Sequence, residues 1–157
     1  MTPSNTDLLA CNQRPGETPD SLATALRSRM DTPLRVLLLE DSEDDAVLML
    51  RELRRSGFHL TWERHETAAA MVDALRHRHW DVILCDYHMP GFSALAALHL
   101  LAESGADVPL IVVSGEQFEE IGVRVFAAGA RNYISKEHLE LLSAAVSREL
   151  GRSAQLY

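Results

Sequence analysis

LRVLLLEDSEDDA, residues 34–46, decides the fold. An almost unbroken apolar run, Leu34 to Leu39, stops at the carboxylate pair Glu40 and Asp41. Such runs mark strands covered on both faces, the habit of parallel sheets. A helix start follows, with Ser42 as its cap and Asp44 and Asp45 as acids that favour the helix dipole. Nucleotide-binding α/β folds place a glycine-rich phosphate loop at this turn. Here acids stand in its place, so any phosphate has to arrive through a metal.

The same pattern recurs three times. DVILCDY carries Asp86, VPLIVVSGE carries Ser114, and RNYISK carries Lys136, each at the end of an apolar run. Strand candidates are 34–39, 59–64, 81–85, 109–113 and 131–135, and helical stretches are 44–56, 67–78, 94–104, 117–128 and 138–150. Strands alternating with helices of this length argue βαβ units with right-handed crossovers. The expected fold is α/β, one doubly wound five-stranded parallel sheet with helices on both faces. The polar stretch His59–Arg64 belongs at the sheet edge. Gly57, Gly105 and Gly129 stand just past helix ends, where a left-handed cap residue is wanted.

Residues 1–33, punctuated by Pro3, Pro15, Pro19 and Pro33, read as a largely unstructured arm. Within it, Leu22, Leu26 and Met30 form one stripe of a short helix over 20–30. Residues 34–150 are expected to make the domain and 151–157 a tail, with no output domain expected after it. The net charge of −8 argues against a nucleic-acid surface, which needs clustered Lys and Arg. The first residues lack the charged start and apolar stretch of a secretory leader, so none is expected, and no apolar run comes near the ~20 residues a membrane span requires. Cys11 and Cys85 lie in dissimilar contexts and imply no disulfide framework, which suits a cytoplasmic location.

In an open parallel sheet, ligand chemistry collects at the carboxyl ends of the strands, where these polar residues fall. Glu40, Asp41 and Asp86 packed together repel, by about 4 kcal/mol for a like pair at ~4 Å and an effective dielectric of ~20. They must shift their pKa values or recruit a cation, and a hard ion that keeps several waters, Mg²⁺, suits them. Read alone, EDSEDD is equally a solvated helix N-terminus. A carboxylate such as Asp86 can act as a nucleophile towards phosphorus. Lys136 then supplies positive charge and Ser114 a hydroxyl donor to offset charge on the phosphoryl oxygens. The histidines offer no metal site: His77 and His79 are two apart and cannot share a helix face, and the others lie in unrelated elements.

The acid pair in LLLEDSEDDA, the acceptor in LCDYHMPG, Ser114 in IVVSGE, and Tyr133 with Lys136 in GARNYISK resemble the receiver domain of a two-component response regulator. The similarity extends to receivers associated with hybrid sensor kinases. It covers about residues 34–150 and implies the flavodoxin-like strand order 2-1-3-4-5. It also implies Asp86 as phosphoacceptor, and Mg²⁺ held by Asp41, Asp86, Glu40 and the His88 carbonyl. Ser114 and Lys136 would bind the phosphoryl group, and Ser114 with Tyr133 would form the conformational switch. The position of His88, two residues past Asp86, tunes phosphoryl lifetime in the family. Two departures stand out: Glu137 follows Lys136 where relatives commonly carry a proline in a cis peptide, and the hydroxyl is Ser rather than Thr.

The resemblance further implies a histidine kinase or histidine phosphotransfer protein as partner. Val47, Leu50 and Phe118 are the candidate partner surface, and helices 117–128 and 138–150 a possible homodimer face. Such a domain supports only its own phosphorylation and dephosphorylation. Two other readings compete. One is a phosphate-independent adaptor. The other is an aspartyl-phosphate hydrolase, which would place its nucleophile after the first strand, whereas Asp86 ends the third.

Overall fold

The computed structural model describes residues 32–116 and 118–155, the side chains of 118–120 and 153–155 excepted. The expected helix over 20–30 lies outside them. Five parallel strands form the sheet: β1 (Thr32–Leu39), β2 (Phe58–His65), β3 (Val82–Cys85), β6 (Leu110–Ser114) and β7 (Asn132–Ser135). A two-stranded hairpin, β4 (His88–Met89) with β5 (Phe92–Ser93), follows β3. The helices are α1 (Glu43–Arg55), α2 (Ala68–His77), α3 (Ala94–Ser104), α4 (Phe118–Ala127) and α5 (Leu142–Gln155). Sheet order is β2-β1-β3-β6-β7, which is the expected 2-1-3-4-5 once the hairpin is set aside.

The apolar run of β1 divides by alternation. Leu37 and Leu39 enter the core that α2 and α3 cover, with Met71, Ala97 and Leu98. Leu34, Val36 and Leu38 enter the opposite core with Ala46, Met49, Leu53 and Val146. Period-two side chains on a strand buried on both faces require this division. On α1 the buried set Ala46, Met49, Leu50 and Leu53 is one stripe at helical spacing. The polar strand β2 does lie at an edge, paired to β1 alone.

Helix starts follow their caps. The hydroxyls of Ser42, Thr67 and Ser93 accept from the amides of Asp45, Ala70 and Ala96. Gly105 closes α3 in the left-handed region at φ 74°, as its position foretells.

Three boundaries differ from expectation by more than one residue. β1 begins at Thr32, because Thr32 and Pro33 pair in register with Phe58 and His59 on the edge strand. The last helix runs on to Gln155, so residues 151–155 are helical rather than tail. The segment expected to open that helix at 138 is instead a 3₁₀ turn, Lys136–Leu141, broken by non-helical dihedrals at His138.

Candidate acceptor pocket

Backbone pairing brings the acids to one place. The Asp86 amide donates to the Leu39 carbonyl at 2.8 Å, which fixes the end of β3 beside the end of β1. Glu40, Asp41 and Asp86 each offer a carboxylate oxygen within 4.8 Å of the others. Ser114 ends β6, one strand over, and pairs with Ser135, so Lys136 leaves β7 at the same end of the sheet. Its ammonium Nζ lies 3.3 Å from Asp86 Oδ2, 3.0 Å from Glu40 Oε2 and 2.7 Å from Asp45 Oδ2.

Burial decides the electrostatics. Glu40 is fully buried, and loss of water pushes its carboxyl up to about 7, against Lys136 and the Ser42 amide, which favour the charged form. Its Oε1 accepts from the Ser42 amide at 3.1 Å. Its Oε2 has the Lys136 charge nearby but makes no hydrogen bond. Asp86 is also raised, first by burial, with Lys136 opposing and Asp41 adding repulsion. Burial works against the Lys136 charge too, but Asp45, Glu40 and Asp86 outweigh it and hold the ammonium above its usual range. A cluster of three carboxylates with one buried, unbonded oxygen is the donor set a hard divalent cation takes.

The rim is tied together by Glu116. Its amide donates to Ser114 Oγ at 3.1 Å, its carbonyl accepts from the Tyr133 hydroxyl, and its Oε1 lies 2.9 Å from His88 Nε2. A cavity of about 570 Å³ opens there, lined by Tyr87, His88, Glu116, Ile121 and Arg124. A larger groove of about 620 Å³, between α2 and α3, touches none of these residues.

The structure therefore gathers Glu40, Asp41, Asp86 and Lys136, with Ser114 and Tyr133 joined through Glu116. The peptide bond between Lys136 and Glu137 is trans, as are all described peptide bonds. Instead of a proline, the Glu137 amide donates to the Ser135 hydroxyl at 3.1 Å and starts the 3₁₀ turn. Two residues beyond the expected set also take part. Asp45, read as a helix-start acid, makes the shortest contact to Lys136, and Glu116 links the two rim loops. The acids in SEDD signalled Asp45 only as dipole partners.

One surface residue needs correction. Leu50 is 2% exposed and belongs to the core of α1, so it cannot contact a partner. Its neighbours Val47 and Leu48 are 51% and 45% exposed and hold the outward face. Helical spacing puts Leu50 one turn after Ala46 and before Leu53, inside the buried stripe. The Phe118 side chain lies outside the described residues.

A five-stranded α/β sheet with acids and a lysine at the carboxyl ends of its strands defines a receiver-type signalling module. The chain belongs to the response regulator receiver domain family, whose model matches residues 36–147. It is 29% identical over 126 residues to the cell cycle transcriptional regulator CtrA of Caulobacter vibrioides, covering 76% of this chain and 53% of that one. It is 32% identical over 124 residues to the transcriptional regulatory protein FixJ of Azorhizobium caulinodans, covering 78% and 57%. The chain thus spans about half the length of these curated relatives. Among solved structures, the receiver domain of NarL from Mycobacterium tuberculosis superposes with a TM-score of 0.67 at 21% identity, covering 78% of this chain and all of that one. The receiver domain of the Pseudomonas aeruginosa sensor histidine kinase PA1611 does so at 0.64 and 22%, covering 76% and 99%. That structure holds a magnesium ion coordinated in its active-site cleft.

Proposed function

We propose that this receiver accepts a phosphoryl group on Asp86 from a phosphohistidine of a kinase or phosphotransfer protein, in the cytoplasm, and signals by a conformational switch. The observation that carries the reading is Lys136 Nζ at 3.3 Å from Asp86 Oδ2, beside three carboxylates within 4.8 Å of one another. An Asp86 oxygen forms the new bond to phosphorus, the donor's phosphorus–nitrogen bond breaks, and the imidazole leaves with the electron pair. Lys136 and the Ser114 hydroxyl hold the phosphoryl oxygens.

Glu40, Asp41, Asp86 and the His88 carbonyl would hold Mg²⁺, the unbonded Glu40 Oε2 supporting that assignment. When bound, the ion supplies positive charge that offsets the phosphoryl oxygens. Acid–acid repulsion then turns into ligation.

The added charge, about −1.5 to −2, draws the Ser114 hydroxyl inward. Ser114 and Tyr133 share Glu116, so a move by the hydroxyl is felt at the ring. Exposed Val47 and Leu48 on α1 form the surface for the histidine-bearing partner, and Val123, Phe126 and Leu141 support a homodimer face on α4 and the 3₁₀ turn. The test is acetyl phosphate or beryllofluoride with Mg²⁺, read by intact mass and by NMR shifts. The parent chain should gain one phosphoryl group, and D86N should gain none. An equal response from D86N would falsify the acceptor assignment.

A further inference from the structure

Asp45 occupies the third position of α1, counted from the Ser42 cap, and its amide donates to Ser42 Oγ at 3.2 Å. In a reciprocal capping box, the acid at this position would accept from the cap residue's own amide. Here that amide is taken by Glu40 Oε1 at 3.1 Å, and the Asp45 carboxylate serves Lys136 instead, at 2.7 Å.

An ammonium has three N–H donors. In this state Lys136 hydrogen-bonds Asp45 and has the Glu40 and Asp86 carboxylates at 3.0 and 3.3 Å, so a phosphoryl oxygen on Asp86 competes with these acids for the ammonium. Asp86 carries the phosphoryl group itself, and Glu40 is the poor candidate for release, its side chain 0% exposed, because losing the cation strands its carboxylate away from water. Asp45 is 36% exposed and regains water when released. It also stands outside the three-carboxylate group that offers metal ligands.

We propose that Asp45 is a resting-state counter-ion that the phosphoryl group displaces from Lys136, and that it thereby lowers the pocket's affinity for that group. Asp45 is a positioning residue in this scheme, acting through Lys136. The proposal rests on the assignment of Asp86 and Lys136 given above.

The test titrates the full 157-residue chain with beryllofluoride in saturating Mg²⁺ by calorimetry, for the parent, D45N, D45S, D44N and D86N. D45N and D45S should bind about two- to fivefold tighter than the parent, the scale of a part-exposed ion pair. Their thermal stability without ligand should be equal to the parent's or lower. D44N, which removes the same charge from the exposed neighbouring position, should bind like the parent. A merely structural Asp45 moves affinity and stability down together, so tighter binding by a less stable variant marks displacement. If the parent binds and both Asp45 variants bind equally or more weakly, or if D44N gains as much, this inference is overturned alone. If the parent does not bind, or D86N binds as well, the acceptor reading fails and this inference with it.

Discussion

His88 Nε2 lies 2.9 Å from Glu116 Oε1 and so joins the loop after β3 to the loop after β6 across the rim of the acceptor pocket. The two side chains are 68% and 47% exposed, which bounds the energy of the contact. Exposed pairs typically contribute about 0.2–1 kcal/mol, because water screens them and ordering two side chains costs entropy. A double-mutant cycle of H88A and E116A, followed by urea unfolding, should give a coupling energy in that range. A coupling above about 2 kcal/mol would show that the pair is a structural brace rather than a surface contact.

The Tyr133 hydroxyl donates to the Glu116 carbonyl, so Y133F removes one hydrogen bond while keeping the half-buried ring packed against the core. The stability cost should be about 0.5–1.5 kcal/mol, the net contribution of an ordinary hydrogen bond. Ser114 reaches Glu116 through the neighbouring amide, so the same variant should alter the NMR response of the Ser114 loop to beryllofluoride. An unaltered response would separate the ring from the switch.

Val47 and Leu50 are three residues apart on α1 and have opposite environments, 51% and 2% exposed. L50A should destabilise the chain by about 2–5 kcal/mol through lost burial and the cavity left behind. V47A should stay within about 0.5 kcal/mol of the parent and yet weaken phosphotransfer from the cognate kinase. Denaturant midpoints of the two variants settle the stability part. A costly V47A would move that residue into the core.

The pair also shows what was legible in the sequence. AVLMLREL has too many apolar residues to define one helix face, so pattern alone left the exposed ones undetermined. The strands were legible because burial on both faces writes continuous apolar runs, and the acids, Ser114 and Lys136 were legible because they interrupt those runs. Asp45 was not, since a helix-start acid and a lysine partner are the same residue type at the same position. Its role depends on where the Ser42 amide goes, and that in turn depends on the buried Glu40 carboxylate. Glu116 was hidden for a different reason, because two of its three links are made by its backbone, which carries no residue-type signal.

Glu40 also gives the pocket a pH signature. Its carboxyl is raised from 4.5 to about 7 by burial, so the folded chain holds this proton more tightly than the unfolded chain does. The resulting stability is fully present below about pH 4.5 and is lost as pH rises through about 7. A shift of this size corresponds to at most about 3 kcal/mol. Asp86 is raised as well and adds with the same sign, whereas the Lys136 shift acts only above the usual lysine range. A divalent cation reverses the trend, because it binds the deprotonated carboxylates and stabilises the folded state by mass action. Without metal, this site should make the chain less stable at pH 8 than at pH 5.5. The stabilisation by a fixed concentration of Mg²⁺ should be larger at pH 8. Thermal melts at both values, at constant ionic strength, with Mg²⁺ or a chelator, provide the check, and E40Q should flatten the metal-free slope. Equal Mg²⁺ effects at the two pH values would mean that the ion is not held by these carboxylates.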